Sequence, residues 1–121
     1  MPEVVFYRED DGSVPALDWL AALPTKAKIM GVARVELLAE RGHMLRRPHA
    51  EHLRDGIHEL RFKRQNVNYR LFYFFHGTRI VVLSHGITKQ QAEVPAIELE
   101  RAILRSKKFA TDPVAHSYRE A

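Results

Sequence analysis

Five residues between positions 59 and 89 carry side chains suited to chemistry: Glu59, Arg61, Arg70, His85 and Lys89. Three are cations. Arg70 falls in mid-strand among Tyr69, Phe72, Tyr73 and Phe74, where an arginine needs a partner, because burying an unpaired charge is costly. Glu59 shares a strand face with Arg61 and can accept a proton or form a structural ion pair. His85 lies near a strand end, and an ordinary imidazole titrates near pH 6.5 (about half a unit below neutral). Around these residues the charge is uneven. From Arg41 to Arg64 there are seven Lys or Arg against three acids, a surplus of four that equals the +4 of the whole chain. Four of the seven histidines, at 43, 49, 52 and 58, fall there too. Such a local field favours a polyanion partner, with Arg46, Arg47, Arg54, Lys63 and Arg64 as its contacts. The competing reading is a solvated basic loop. The run His49-Ala50-Glu51-His52 lacks a third ligand at defined spacing, so no metal is expected. No Walker loop, GxGxxG or GxSxG occurs, and no cofactor is expected.

The elements that must position these groups run through residues 56–89. Three apolar runs of strand length, at 57–62, 69–75 and 79–83, are separated by breaks too short for a helical crossover, so they pair antiparallel. Alternation puts Leu60 and Phe62 on one face with Leu71, Tyr73 and Phe75, and Glu59, Arg61 and Arg70 on the other. Phe72 and Phe74 share Arg70's face, so the C-terminal helix or a partner must cover part of it. Before the meander, residues 3–7 form a short strand. Ser13 and Pro15 suit the start of a short helix burying Leu17, Trp19, Leu20 and Leu23, which Pro24 stops. Thr25 then caps a helix over 26–41 with Ile29, Met30, Ala33 and Leu37 as its apolar stripe and Gly42 at its exit. Residues 42–55 read as an irregular surface connection. Pro95 opens a last helix to about residue 108, with Ala96, Leu99 and Ile103 inward and Glu98 paired to Arg101 on its outer face. Residues 110–121 read as a frayed or extended tail. The expected fold is therefore α+β, β-α-α-β-β-β-α. An antiparallel sheet of about four strands carries an N-terminal helical hairpin on one face and a C-terminal helix. Residues 1–109 form the domain, with a polar tail at 110–121.

Composition bounds the function. The chain has 121 residues, enough for one core. Its 45% hydrophobic and 28% charged residues are those of an ordinary globular domain. No apolar run approaches the roughly 20 residues that span a bilayer. The N-terminus, MPEVVFYRED, lacks the charged-then-apolar pattern of an export leader, and there is no cysteine. A cytoplasmic location with no membrane partner is expected.

The residues also carry a resemblance. Leu53-Arg54-Asp55-Gly56-Ile57-His58-Glu59-Leu60-Arg61 is similar to the L-x-D-G-hydrophobic-x-E-L-R signature of the HigB-like toxins of the RelE/ParE superfamily, in its phage-derived branch. Tyr69-Arg70-Leu71-x-Tyr73 resembles the family's YR-x-x-Y strand. Residues 84–89, followed by Pro95 and Ala102, resemble its closing strand and helix. The similarity covers roughly residues 3–108. It implies the toxin of a type II toxin–antitoxin pair, a metal-independent endoribonuclease that cuts messenger RNA, usually in the ribosomal A site. It also implies a cognate antitoxin, commonly of helix-turn-helix type. The ribose 2′-OH would attack the adjacent phosphate and leave a 2′,3′-cyclic phosphate.

By that resemblance Arg70 takes the phosphate, which a guanidinium can grip through two oxygens. Lys89 stabilises the transition state or protonates the leaving oxygen, and Arg61 supports the phosphate. Two departures leave the general base open. Some relatives have catalytic lysines where this chain has Ile57 and Glu59, and some have a tyrosine near the position of Pro95. Glu59 and His85 are the candidate bases here, ahead of Tyr73, His116 and Tyr118. Non-nuclease readings are a gyrase poison of the same fold, or a degenerate module that binds only antitoxin or RNA.

Overall fold

The computed structural model describes residues 2–89 and 93–120. Met1 and Ala121, the outer ends of the expected domain and tail, lie outside these residues. The order is β1 (Glu3–Tyr7), α1 (Pro15–Ala22), α2 (Thr25–Arg41), a 3-10 turn (Gly42–Met44), β2 (Ala50–Arg54), β3 (Ile57–Arg64), β4 (Val67–His76), β5 (Ile80–Lys89), α3 (Ala96–Thr111) and β6 (Ser117–Tyr118). The strands form one sheet in the order β2-β3-β4-β5-β1-β6. Every neighbouring pair is antiparallel except β1 with β5, which run parallel.

The α+β class is as expected, but there are six strands rather than about four. The extra two sit at the sheet's edges. β2 lies inside the stretch read as irregular, because AEHLR holds few strand formers and pairs on one side only. β6 lies in the tail read as frayed, where Tyr118 and Ser117 pair with Phe6 and Tyr7. Two tight turns fix the register of the meander. Asp55-Gly56 and Gln65-Asn66 all have positive φ, the backbone of a two-residue type I′ hairpin whose twist matches the strands it joins.

The helical hairpin α1–α2 covers one sheet face. Its core holds Leu20, Leu23, Ala27, Leu38, Leu60, Phe62, Tyr69, Leu71, Tyr73 and Leu83. Neither helix has a side-chain cap, so Ser13 and Thr25 do not play the expected role. The apolar stripe of α2 is also rotated from the one expected. Ile29 is 64% exposed, while Ala27, Gly31 and Leu38 are buried. The cause is close packing at Gly31, where an added Cβ would meet Leu20 at 3.0 Å and Phe62 at 3.1 Å. Trp19 of α1 lies over Gly86 of β5, donates from Nε1 to Thr88 Oγ1 at 3.1 Å, and leaves no room for a side chain at 86.

α3 covers part of the other face. It buries Val5, Tyr7, Ile57, Phe72, Phe74 and Val82 with its own Ala102 and Phe109, so the two phenylalanines on Arg70's face are already covered within the chain. Glu98 turns inward rather than standing on the outer face, and bonds both Arg101 and His85. Among the described residues no helix is long and apolar enough to cross a membrane.

A candidate anion-binding face on strands β3, β4 and β5

Alternation along β3 and β4 projects Glu59, Arg61 and Lys63 to the same side as Asn68, Arg70 and Phe72. β5 joins them only because of a bulge. Tyr73 pairs with Leu83, but Phe72 pairs with His85, so Ser84 is an extra residue in β5. A bulge of this kind shifts side-chain parity by one. It brings His85, Ile87 and Lys89 onto the α3 face. Three cross-strand rows result: Glu59–Phe72–His85, Arg61–Arg70–Ile87 and Lys63–Asn68–Lys89. Lys89 is two strands from Lys63, about 10 Å at the usual spacing.

The first two rows are locked by charge. Glu59 Oε1 lies 3.3 Å from Arg70 Nε, and Oε2 lies 3.3 Å from Arg61 Nε. Arg61 Nη1 donates to Glu51 Oε2 at 3.1 Å, and Glu51 also holds Arg47. Arg70, Glu59, Arg61, Glu51 and Arg47 therefore form a line of alternating charge. The Glu59–Arg70 contact is at ion-pair distance, but its two atoms lack hydrogen-bond alignment. Burial raises the Glu59 carboxyl against the pull of Arg70, Arg61 and Lys89. Burial likewise lowers the Arg70 guanidinium, which Glu59 only partly offsets. Each partner thus loses more by leaving water than it regains from the other.

Two cavities flank these rows. One, of about 520 Å3, is lined by Met30 and Arg34 of α2, Arg47, Pro48 and His49, Arg61, Phe62 and Lys63 of β3, and Asn68 and Arg70 of β4. The other, of about 730 Å3, lies between Lys89 and the start of α3 at Pro95, and includes Glu93 and Glu98. The first holds five cations, touched by two carboxylates, Glu51 and Glu59. A surplus of three positive charges gives this cleft the electrostatics that suit an anion.

A family model described as "Phage derived protein Gp49-like (DUF891)" matches residues 18–107, which span α1 to most of α3 and include every residue of the three rows. The chain belongs to the Gp49-like family. That family consists of RelE/HigB-like toxins. No curated protein matches the chain.

The remaining candidate residues fall into place around the Gp49-like rows. Arg70 was expected on an open face, but it is 4% exposed and reaches only the wall of the cleft. Glu59, at 3% exposure, has both oxygens turned to arginines. His85 is also engaged. Its Nδ1 pairs with Ser84 Oγ at 2.8 Å and its Nε2 with Glu98 Oε1 at 3.2 Å. Burial, with Arg105 nearby, lowers its pKa to about 4, so it is neutral at pH 7 and ties β5 to α3. Tyr73 belongs to the opposite core and is pushed up to about 12 by burial. His116 stacks on Tyr7 at the far edge of the sheet, and Tyr118 packs on Phe6 there.

Of the five basic contacts read from charge, the cleft gathers Arg47 and Lys63. Arg54 sits at the other end of the β2–β3 hairpin beside Asp55, about 20 Å from Lys63 at strand rise. Arg46 turns back to the carbonyls of His43 and Leu45. Arg64 closes β3 on the opposite parity from Lys63. Within the HAEH run, strand alternation sends Glu51 to one face and His52 to the other. Two cleft residues escaped the sequence reading as site residues, Arg34 and His49. Arg34 looks like any solvated helix charge until α2 is laid against β3, where its Nε donates to the Arg61 carbonyl at 3.4 Å. In the sequence His49 stands out only within the His49-Ala50-Glu51-His52 run, a pattern that points to a metal and not to this cleft.

Proposed function

We propose that this Gp49-like chain is a HigB-like toxin that cleaves messenger RNA on the ribosome without a metal. A cognate antitoxin of helix-turn-helix type would hold it inactive in the cytoplasm. The observation that carries the reading is the cleft where Arg61, Arg70 and Lys63 meet on one sheet face, with Lys89 in the adjoining row. Arg61, whose side chain is 31% exposed, meets the scissile phosphate. Arg70 serves as the buried anchor behind it rather than as an exposed ligand. Lys89 approaches from the β5 side, where it neutralises charge on the phosphorane or delivers a proton to the leaving 5′-oxygen.

The base in this reading is His49. It lines the same cleft, and its ring has no hydrogen-bond partner among the described residues. It takes the 2′-OH proton. The O2′–P bond then forms as the P–O5′ bond breaks, leaving a 2′,3′-cyclic phosphate and a 5′-hydroxyl. Purified protein with translating ribosomes and a defined message tests the reading. Arg70→Ala and His49→Ala should each abolish internal cuts, by at least about a hundredfold for loss of a general base. Folded Arg70→Ala and His49→Ala proteins that cut normally would remove those residues from the mechanism. An intact message with lost supercoiling would favour a gyrase poison.

A further inference from the structure

We infer that the α2 end of the basic cleft is a second RNA subsite, binding the nucleotide next to the scissile phosphate, with Arg34 as its phosphate ligand and Met30 and Pro48 as its base-facing wall. The inference deepens the ribonuclease reading and rests on it. Three observations carry it.

First, the cleft is longer than one phosphate needs. It runs from Arg70 and Asn68 in β4, across β3, to Arg34 and Met30 on α2, one strand spacing of about 5 Å plus the step from the sheet to the helix laid on it. Secondly, charge and apolar surface are segregated along it. Arg61 and Arg70 are held by Glu59, but among the described residues neither Arg34 nor Lys63 has a carboxylate at ion-pair distance. Among the described residues Arg34 is anchored through Nε alone, to the Arg61 carbonyl, which leaves the terminal amines of its guanidinium for an anion. Met30 and Pro48 line the same cavity, and bases pack on apolar walls whatever their identity. Thirdly, the cleft contains a cation that is more than nine-tenths buried, Arg70, whose Nε lacks a hydrogen bond. A groove with a buried cation at its base, a carboxylate-free cation at its rim and an apolar wall suits single-stranded RNA. An acidic peptide would satisfy the charges and leave the apolar wall idle.

The test is binding rather than cleavage. A fluorescein-labelled 2′-O-methyl RNA hexamer, which has no free 2′-OH to react, is titrated with the full chain from 0.05 to 0.3 M salt. Each phosphate contact on a single strand contributes roughly 0.7 to the slope of log K against log salt. Arg34→Ala should therefore flatten that slope by about 0.7 and weaken binding about fivefold at 0.1 M salt. Arg34→Lys should keep most of the slope, and Met30→Ala should weaken binding with the slope unchanged. Unaltered melting curves separate these effects from misfolding. If Arg34→Ala binds the hexamer like the unsubstituted chain while Arg70→Ala has lost cleavage, the subsite is overturned and the ribonuclease reading stands. If the unsubstituted chain neither binds the hexamer nor cuts a message, both fall. If Arg34→Ala leaves hexamer binding intact but loosens the cognate antitoxin, the cleft holds an acidic protein segment, and the RNA subsite is wrong.

Discussion

The Glu59–Arg70 pair should cost the protein stability, and the size of that cost can be worked out. At 3.3 Å and an effective dielectric constant near 20, two unit charges attract by about 5 kcal/mol. Both residues are 4% exposed or less, and removing each ion from water costs several kcal/mol. Two such penalties match or exceed the attraction, in agreement with the upward shift of Glu59 and the downward shift of Arg70. The single and double replacements should therefore diverge. Glu59→Leu strands a buried guanidinium and should lose about 3–5 kcal/mol. Arg70→Met should lose less, about 1–3 kcal/mol, because Glu59 keeps Arg61 and can take up a proton. The double variant should be at least as stable as the parent, by analogy with buried pairs whose apolar replacement gains about 1–4 kcal/mol. Urea unfolding of the four proteins at pH 7, with m-values compared, gives the coupling directly. Simple additivity of the two single losses, or a double variant less stable than the parent, would refute the reasoning. In the ribonuclease reading the stabilised double variant should also be inactive, the usual sign that a site is held at the expense of the fold.

Two other outcomes follow from the packing and the titrations. Gly86→Ala should lose about 1–3 kcal/mol by thermal melting, the usual cost of overpacking, since the new methyl overlaps the Trp19 ring; Gly86→Ala combined with Trp19→Leu should recover part of it. Acidification should also weaken the fold through His58 and His85, both lowered to about 4 from the ordinary 6.5, chiefly by burial. Between those values the unfolded chain binds more protons than the folded one, so this contribution is complete above pH 6.5 and is lost as pH falls toward 4. Glu59 has the opposite sign, since its raised pKa makes ionisation unfavourable above the ordinary 4.5. Replacing both histidines with Gln should flatten the acid limb of a urea-midpoint profile between pH 7.5 and 4.5; an unchanged limb would contradict the assignment.

What the sequence disclosed was mostly parity. The alternation of β3 and β4 placed Glu59, Arg61 and Arg70 on one face, and the pairing Arg61↔Arg70 agrees. The depth of Arg70 was not legible, because it depends on Glu59 and on how far α3 extends over the face. β2 was hidden by its composition, since an edge strand of Glu, His and Arg offers no apolar alternation. The contact face of α2 was misjudged because a glycine, which scores as neither core nor surface, sets its closest approach. Arg34 and His49 entered the site through tertiary packing alone: a helix charge and a loop histidine become neighbours only after α2 and residues 47–49 close on the same strand.

The inserted residue Ser84 has a practical consequence for anyone comparing relatives of this chain. It works like a half-turn in a screw thread: straightening the last long strand with every residue kept would carry its terminal lysine to the helical-hairpin side, beside the indole, whereas removing the extra residue would leave the lysine where it is, one count earlier. Aligning relatives by counting from the start of that strand would therefore confuse proteins whose lysines occupy opposite sides of the molecule. The count has to begin at the bulge.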